Sequence, residues 1–410
     1  MKRYLMTCAV LAGLTLTTTM AGDAGHDWPQ YRGAERDGLS LETGLLTTWP
    51  ASGPPELWRA PLGEGYSGIA AVGDRLYTMY ARDGEARLVC LAAGDGGEIW
   101  SVVLGKGFKE GHGNGPRSTP TVDGDLVFAL SARGRLVAVK AHDGKMVWEH
   151  DLEEAFDAKL PHFGSSASPL VEDGLVILEV GGSDSRNLMA FKRDTGEVAW
   201  GTGDQKTGYS SPLAVTINGT RQVLFFTGTA LVSVAPDSGK ALWSLPWKTS
   251  YNINAAMPIF MAPDRIFISS GYDTGAALLQ VSGKGDAWKV EEVWRSRVMK
   301  NHFNSSVLLD GFLYGFDDGT LKCIDGATGE EKWKQRGFAK GSLLAADGHL
   351  FIFSEKGELA VAEATPEGYR ETGRTRPMDG KTWTMPTLSH GRLYVRDEEE
   401  LVAFDLSADS

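Results

Sequence analysis

The chain of 410 residues has few cysteines, no excess of positive charge, and nowhere the ~18 uninterrupted apolar residues that a membrane-spanning helix needs. Its 41 Lys and Arg residues stand against 53 Asp and Glu, which gives a formal net charge of −12. Because so acidic a molecule is not expected to present a broad basic face, we expect no nucleic-acid partner. The missing apolar run predicts that the chain has no transmembrane segment.

The sequence also lacks the common catalytic and nucleotide-binding motifs. It contains no Gly-x-Ser-x-Gly, no His-Glu-x-x-His, no Walker loop and no Cys-x-x-Cys. The glycine-rich stretches at 94–97 and 181–182 do not open helices, so we interpret both as hairpin turns. Function therefore has to be inferred from the fold and from the loops that the fold brings together.

The first 21 residues have the pattern of a secretory signal. Two cations precede an apolar run from Leu5 to Leu16, and small residues follow. We predict a signal peptide over residues 1–21, cleaved near Ala21, and a periplasmic or secreted mature protein. Cys8 lies at the start of the apolar run, where cleavage would leave an apolar terminus, so we do not expect it to carry a lipid anchor.

Glycine, in contrast, is abundant at 51 residues, and part of it belongs to a repeat. Five ungapped segments each begin with Leu, have Gly eight positions later and end with Trp twelve positions later. They are LVCLAAGDGGEIW (88–100), LVAVKAHDGKMVW (136–148), LMAFKRDTGEVAW (188–200), LVSVAPDSGKALW (231–243) and LKCIDGATGEEKW (321–333). Alternating apolar runs separated by Asp-Gly and Thr-Gly turns predict antiparallel strands.

Three weaker copies, headed by Leu278, Leu359 and Leu401, bring the count to eight. Four short strands per unit, repeated eight times, predict an all-β, eight-bladed β-propeller of four-stranded antiparallel blades. The last copy lacks an outer strand, whereas residues 56–60 carry Trp58 with no repeat before them. We therefore predict that this N-terminal strand completes the C-terminal blade and closes the ring. The predicted organisation is a signal peptide (1–21), a lead-in segment (22–55) and the propeller (56–410).

The residues of the repeat have predictable structural roles. Glycine at the eighth offset suits a hairpin position of positive φ, and a small residue two positions after the leading Leu leaves room for an indole. We expect seven structural tryptophans between blades, namely Trp58, Trp100, Trp148, Trp200, Trp243, Trp294 and Trp333. Cys90 and Cys323 occupy the same register three blades apart, so we expect two buried free thiols.

A family resemblance follows from this repeat. The stretch from Cys323 to Trp333 resembles the tryptophan-docking motif of the pyrroloquinoline quinone (PQQ) repeat, which recurs in quinoprotein alcohol dehydrogenases and in the propeller lipoprotein of outer-membrane protein assembly. The resemblance covers residues 56–406. The lead-in Asp27-Trp28-Pro29-Gln30-Tyr31-Arg32-Gly33 is similar to that of many exported PQQ-like propellers.

Three functions remain open, and the resemblance bears on the first two. The first is a non-catalytic binding or assembly scaffold, with periplasmic or outer-membrane proteins, or a small anionic or polyhydroxylated ligand, as partner. The second is a quinoprotein-type oxidoreductase that holds PQQ with Ca²⁺, and the third is a periplasmic sensor of small ligands. Quinoprotein dehydrogenases are similar in blade number but carry adjacent cysteines and an Asp base beside Ca²⁺, and this sequence matches neither feature. We therefore favour the scaffold, with no catalytic residue, metal or cofactor.

The loops that enter the inner strands are expected to meet at one mouth of the channel and to form a locally cationic pocket. The candidate ligand-binding residues in these loops are His112, Asn114, Arg117, His162, Asn254, Asn301, His302, Lys340 and Trp383. Arg117 is the best candidate to hold a carboxylate, and Trp383 to stack on a ring. The alternative is that these polar residues cap strand ends and bind channel water.

Overall fold

The computed structural model describes residues 24–408, and nearly all of its regular structure is β. The described chain contains 32 strands in eight four-stranded antiparallel sheets, which are the blades of a ring. The helical elements of this part are a 3-10 turn at Ala24–His26 and one short helix, α1, at Leu152–Phe156. The predicted eight-bladed, all-β propeller is confirmed. The predicted signal peptide, with Cys8, lies outside the described residues.

The strands follow one another around the ring in chain order. The first strand is β1 (Glu56–Pro61). Blades 1 and 2 contain β2 (Ala70–Val72), β3 (Arg75–Arg82), β4 (Glu85–Ala92), β5 (Glu98–Lys106), β6 (Thr121–Asp123), β7 (Leu126–Leu130), β8 (Arg135–Lys140) and β9 (Met146–Asp151). Blades 3 and 4 contain β10 (Leu170–Glu172), β11 (Leu175–Gly182), β12 (Arg186–Lys192), β13 (Val198–Thr202), β14 (Leu213–Ile217), β15 (Thr220–Phe226), β16 (Ala230–Val234) and β17 (Ala241–Pro246). Blades 5 and 6 contain β18 (Ile259–Met261), β19 (Arg265–Ser270), β20 (Gly275–Ser282), β21 (Lys289–Ser296), β22 (Val307–Leu309), β23 (Phe312–Asp317), β24 (Thr320–Asp325) and β25 (Glu331–Gln335). Blades 7 and 8 contain β26 (Gly341–Ala346), β27 (His349–Ser354), β28 (Leu359–Glu363), β29 (Glu371–Thr375), β30 (Thr387–Ser389), β31 (Arg392–Arg396) and β32 (Glu400–Asp405).

Blade 8 takes its outer strand from the N-terminal part of the chain. Its strand order is β1-β32-β31-β30, with Trp58 opposite Ala403 and Arg59 opposite Val402. The other blades are built from consecutive strands. The predicted closure of the ring by an N-terminal strand is confirmed, and within residues 24–408 no blade is left with an unpaired third strand.

The register within the blades explains the small residue of the repeat. In each of six blades the tryptophan of the outer strand lies directly opposite this small residue, which gives the indole room against the sheet. The pairs are Trp58–Ala403, Trp100–Cys90, Trp148–Ala138, Trp200–Ala190, Trp243–Ser233 and Trp333–Cys323. Both cysteines are buried and unbridged, as expected, and burial raises the pKa of each thiol to about 11.

Six of the seven indoles donate a hydrogen bond to a backbone carbonyl of the next blade. The donors and acceptors are Trp58 to Ala93, Trp100 to Ala141, Trp148 to Arg193, Trp200 to Pro236, Trp294 to Gly326 and Trp333 to Thr365, at 2.7–3.2 Å. Trp243 differs, because its indole donates to the Gln222 side chain within its own blade. The six indole bonds between blades link consecutive blades around the ring.

Blade 7 has Gly373 where the other outer strands carry tryptophan, opposite Val361. Trp49 of the lead-in occupies the space that this glycine leaves. A Cβ atom on Gly373 would lie 2.9 Å from the Cβ of Trp49, and the Trp49 indole is buried against Phe351 of the same blade. The lead-in therefore supplies the indole that the seventh repeat lacks.

The lead-in also runs across the central channel. Trp28 forms an antiparallel bridge with Ala71 on the inner strand of blade 1, and Leu39 forms a parallel bridge with Ala345 on the inner strand of blade 7. The segment between them contacts the inner strands around the ring, and Tyr31 packs against the core shared by blades 4 and 5. The channel is consequently closed on the side opposite the strand-entry loops.

Two buried arginines fasten this segment in place. Arg32 donates to the carbonyl of Ser306 (2.7 Å) at the entry to blade 6. Arg36 donates to the carbonyls of Pro169 and Pro212 (the latter at 2.9 Å), at the entries to blades 3 and 4. Because burial disfavours the charged form, it lowers the pKa of both guanidiniums, that of Arg36 to about 9.

Among residues 24–408 the structure contains no helix with the length and apolar composition of a membrane span.

Candidate functional site

The strand-entry loops surround a cavity of about 450 Å³ at the open mouth of the channel. Every blade contributes at least one residue to its wall, and Tyr31 of the lead-in contributes to its floor. Because the lead-in lies beneath it, the cavity is a blind cup, and its volume is that of a small-molecule site. Burial raises the pKa of the Tyr31 hydroxyl, so this ring is neutral at physiological pH.

One side of the cup is a continuous arc of aromatic rings, contributed by blades 1, 8, 6 and 5. Tyr66 packs on Trp383 with ring centroids 5.1 Å apart, and Trp383 packs on Phe303 at 5.2 Å. His302 follows Phe303 at 5.7 Å and packs on Tyr272 at 4.9 Å. We call these five residues the first aromatic arc.

The facing side is a second aromatic arc, formed by His112, Phe163 and Tyr209 of blades 2, 3 and 4. The Phe163 ring lies 5.4 Å from His112 and 5.7 Å from Tyr209. The Tyr209 hydroxyl accepts a hydrogen bond from the Phe163 backbone N–H (3.4 Å), which couples the two loops. A ligand in the cup is thus bounded by aromatic rings on both sides.

Arg117 lines the cavity, but its guanidinium is engaged mainly within its own loop. It pairs with Glu110 at 3.0 Å and donates to the carbonyls of Gly113 (2.7 Å) and Gly115. Burial lowers the pKa of Arg117, and the Glu110 carboxylate opposes that effect. Since this ion pair is internally neutral, Arg117 supports the shape of the loop and leaves little net charge for a ligand.

Lys340 is the cation of the described cavity lining that has no ion pair, and the carboxylates of Asp318 and Glu355 lie near enough to act on its neighbour His302. Its ammonium lies 3.3 Å from His302 Nδ1 and 5.8 Å from the centroid of the Phe303 ring. Burial, together with the charge of Lys340, lowers the pKa of His302 to about 4. His302 is therefore neutral, with Nδ1 accepting a hydrogen bond from the ammonium.

The other candidate residues do not line the cavity. Asn254 is fully buried and donates to the Thr227 carbonyl, while Asn301 is buried and donates to the Phe316 carbonyl. Asn114 donates to Glu64, and His162 lies against the Phe163 ring, but neither candidate lines the cup. Of the nine candidates, the structure brings together His112, Arg117, His302, Lys340 and Trp383.

Small hydroxyl residues of the same loops connect neighbouring inner strands. The backbone N–H of Gly68 donates to Thr119 Oγ1 (3.1 Å), that of Thr119 to Ser168 Oγ (2.9 Å), and that of Ser168 to Ser211 Oγ (2.8 Å). Each bond crosses from one blade to the next. These hydroxyls therefore cap strand ends, the alternative considered for the polar loop residues. Thr119, Ser168 and Ser211 also line the cup, together with the arcs and Lys340.

The sequence-based selection missed most of the aromatic wall, namely Tyr31, Tyr66, Phe163, Tyr209, Tyr272 and Phe303. A usable signal existed for two of these aromatics, because each adjoins a polar residue that was selected. Phe163 follows His162, and Phe303 follows His302. In a loop, however, the backbone and not a strict alternation decides which neighbour faces the channel.

The comparisons with known proteins agree with this fold. A family model described as "Outer membrane protein assembly factor BamB" matches residues 50–151 and 107–335, more than half of the chain. The chain belongs to this family. The curated BamB of Yersinia pestis is 21% identical over 319 residues, which are 74% of this chain and 76% of that protein. The expected PQQ-like propeller is confirmed.

Quinoprotein dehydrogenases are also similar. PedH of Pseudomonas putida is 26% identical over 209 residues, 47% of this chain, which spans only 31% of PedH. The crystal structure of the quinohemoprotein alcohol dehydrogenase of Comamonas testosteroni superposes with a TM-score of 0.65 at 13% identity, over 94% of this chain and 81% of that one. At this identity the likeness shows a common fold.

The described lining of the cavity does not offer a cluster of carboxylates for a Ca²⁺ ion beside PQQ. Calcium takes six to eight oxygen ligands, whereas Glu110 is the one carboxylate among the described residues that line the cup, and it is paired with Arg117. In the described part of the chain, no group of three or more His, Cys, Asp and Glu side chains is placed to hold a metal ion. Cys90 and Cys323 lie inside blades and not at the cavity.

Proposed function

We propose that this protein is an exported, non-catalytic binding scaffold whose binding site is the mouth cavity. The observation that carries the proposal is the blind cup between two aromatic arcs, to which all eight blades contribute and whose floor the lead-in closes. Apolar and aromatic walls with a few polar groups are typical of small-molecule sites. A cup that merely held channel water would not need eight aromatic rings around it.

The environment of the titratable groups supports a binding role over a catalytic one. Both oxygens of Glu110 are engaged, one by Arg117 and the other by His112. The Tyr66 hydroxyl donates to Glu398 (2.7 Å), and burial with this bond raises the Tyr66 pKa above its usual value. His302 is occupied by Lys340. Among the described residues that line the cup, none therefore pairs a nucleophile with an available base.

Thermal stability with and without ring-bearing small molecules tests the binding role. A bound compound stabilises the fold by about 2.7 kcal/mol at a hundredfold excess over Kd. Ala255→Phe would fill the cup from the wall of blade 5, and Ala287→Phe, on an exposed turn, is the matched control. We expect the shift to survive in Ala287→Phe and to disappear in Ala255→Phe. A shift that is equal in both variants would contradict a site in the cup.

A quinoprotein-type oxidoreductase is the second candidate, and the similarity to PedH favours it. The discriminating measurement is the melting temperature of the mature protein with PQQ and Ca²⁺ added together, against Ca²⁺ alone. We expect no difference, because the one carboxylate among the described lining residues, Glu110, is paired with Arg117. A PQQ-dependent rise in melting temperature, with dye-coupled oxidation of an alcohol, would contradict the scaffold function and favour the oxidoreductase.

The relatives named outer membrane protein assembly factor suggest a protein partner in the same compartment. Exposed apolar side chains support such a contact, since Tyr251 and Leu160, in loops beside the cup, are exposed at 68% and 39%. A scaffold of this kind would co-purify with an outer-membrane or periplasmic protein from its own cell envelope. Loss of that partner in Tyr251→Ser, with an unchanged melting curve, is the expected result, and retention would place the contact elsewhere.

A further inference from the structure

We propose that the ligand of the mouth cavity is an acidic saccharide, whose carboxylate pairs with Lys340 and whose sugar rings lie between the aromatic arcs. This inference rests on the proposed binding function and specifies the chemical class of its ligand. It comes from two separate properties of the cup, its charge and the arrangement of its rings.

The charge of the wall selects one anionic group. Arg117 and Glu110 neutralise each other at 3.0 Å, and His302 is neutral beside Lys340. Among the described residues that line the cup, the ammonium of Lys340 is the cation left without an ion pair. Lys381 lies 4.5 Å from the centroid of the Trp383 ring but is not part of the lining. A single partly buried cation is matched by a monoanion such as a carboxylate.

The rings of the wall select a curved and not a flat ligand. In the first arc, neighbouring ring planes are tilted by 39° at Tyr66–Trp383, 44° at Trp383–Phe303 and 46° at His302–Tyr272. Such rings present separate faces around a curved wall and not one flat slot. The negative face of an aromatic ring attracts the positive C–H edges of a ligand, and a saccharide ring carries such edges on both sides.

The polar atoms beside the arcs suit hydroxyl groups. Asn304 of blade 6 and the hydroxyls of Ser166 and Tyr209, from the facing blades 3 and 4, also line the cup. Ser166 donates to the Tyr209 carbonyl (2.9 Å) and keeps acceptor capacity. Donors and acceptors are thus placed around the apolar faces, as a polyhydroxylated ring requires.

Calorimetric titration with a matched pair of sugars tests the proposal. The probes are a hexuronate-terminated disaccharide and the neutral disaccharide of the same linkage, with benzoate as a flat monoanion. For the unmodified protein we expect the acidic disaccharide to bind at least about tenfold more tightly than the neutral one, because one charge-assisted hydrogen bond contributes a binding free energy of that size. Benzoate is expected to bind more weakly than the acidic disaccharide.

The variants separate charge from ring contacts. Lys340→Met should remove the preference for the acidic sugar and leave the neutral sugar unchanged, whereas Lys340→Arg should retain the preference. Lys109→Met, at a lysine outside the cup, is the control and should bind as the unmodified protein does. Trp383→Ala should weaken both sugars about tenfold or more.

Three results would overturn the proposal, and they differ in what else they affect. Equal binding of the two sugars, or a preference that survives Lys340→Met, would remove the role of Lys340. Tight binding of benzoate without binding of either sugar would assign the cup to flat acids and leave the binding function standing. Failure of the sugars and of every ring-bearing compound to shift the melting temperature would remove the proposed function as well.

Discussion

At the scale of single residues, the glycine of the repeat meets two requirements at once. Gly144 has φ of +71°, and a Cβ atom there would lie 2.7 Å from Cε3 of Trp100 in the preceding blade. The same arrangement recurs at Gly96, Gly196 and Gly239, each beneath the indole of the blade before it. The turn conformation accounts for part of the glycine requirement, and close approach of the neighbouring indole accounts for the rest.

Gly144→Ala is therefore expected to destabilise the fold more than the backbone conformation alone would. Gly174→Ala is the matched control, because Gly174 has φ of +76° and nothing within 4 Å of the added Cβ. We expect the control to cost ~1–2 kcal/mol in the free energy of unfolding and Gly144→Ala to cost at least ~1 kcal/mol more, measured by urea denaturation. Equal costs would mean that the indole does not restrict this position.

Glu179 is a buried carboxyl whose hydrogen-bond partners are uncharged. It is 5% exposed, and its oxygens accept hydrogen bonds from Asn187 (3.1 Å) and from the backbone N–H of Gly208 (3.0 Å), next to the cavity residue Tyr209. Burial raises its pKa to about 8. The folded state consequently holds this proton up to about pH 8, whereas the unfolded chain releases it near its ordinary value of ~4.3.

Between these two values the folded state binds more protons, so stability should fall as the pH rises. Glu179→Gln keeps an acceptor for Gly208 and cannot ionise, so its stability relative to the unmodified protein should increase from pH 5 to pH 8, by at most ~1.4 kcal/mol per pH unit. The exposed Glu367→Gln is the control. Urea denaturation at both pH values measures the difference, and a constant difference would show that Glu179 is ionised in the fold.

At the scale of elements, blade 7 depends on a residue from outside its own repeat. Trp49 covers Gly373 and lies in the core between blades 7 and 8 with Val361 and Leu388. The lead-in is thus part of the packing of the ring as well as its closure. A repeat with a glycine in place of its tryptophan is stable because another segment brings the indole.

Trp49→Ala should accordingly lower the free energy of unfolding by ~3–5 kcal/mol, as for other buried aromatic residues. Leu41→Ala, in the same segment and 83% exposed, should change it by less than ~0.5 kcal/mol. Thermal or urea denaturation of both variants measures this. Similar values for the two substitutions would show that the lead-in does not support blade 7.

The elements differ in how far the sequence predicts them. The offsets of Leu, Gly and Trp indicate the register of each hairpin. The blades, and the pairing of the Trp58 strand with the last blade, could therefore be predicted from the repeat. The path of the lead-in could not be predicted from the repeat, because Arg32, Arg36 and Trp49 contact carbonyls and a glycine that are distant in the sequence.

The loop side chains were only partly predictable for the same reason, since their partners lie elsewhere in the chain or in the loop. The Asn254 side chain donates a hydrogen bond to a neighbouring loop, and the Arg117 guanidinium pairs with Glu110.

At the scale of the whole molecule, ring closure and cavity closure come from one N-terminal stretch. Residues 24–40 close the channel beneath the cup, and β1 completes blade 8. The mouth keeps its shape only while all eight blades are in place, since each supplies part of the wall. Binding and global stability should therefore be coupled.

Replacing Glu56–Pro61 by a Gly/Ser sequence of equal length removes the closing strand and keeps the lead-in attached. We expect a loss of at least ~3 kcal/mol, mainly from the buried face of Trp58, and a broader thermal transition because the ring is open. The same replacement at 284–287, an exposed turn, is the control and should melt normally. A sharp, unshifted transition in the β1 variant would contradict closure by this strand.

Crystallographic soaking with a set of cyclic fragments, half of them carboxylates, would show whether the mouth cup binds a ring-bearing ligand. We expect the fragments to lie between Phe163 and Trp383, with the carboxylates of the acidic fragments on Lys340. Fragments bound only elsewhere on the molecule, with the cup filled by its own side chains, would contradict this expectation.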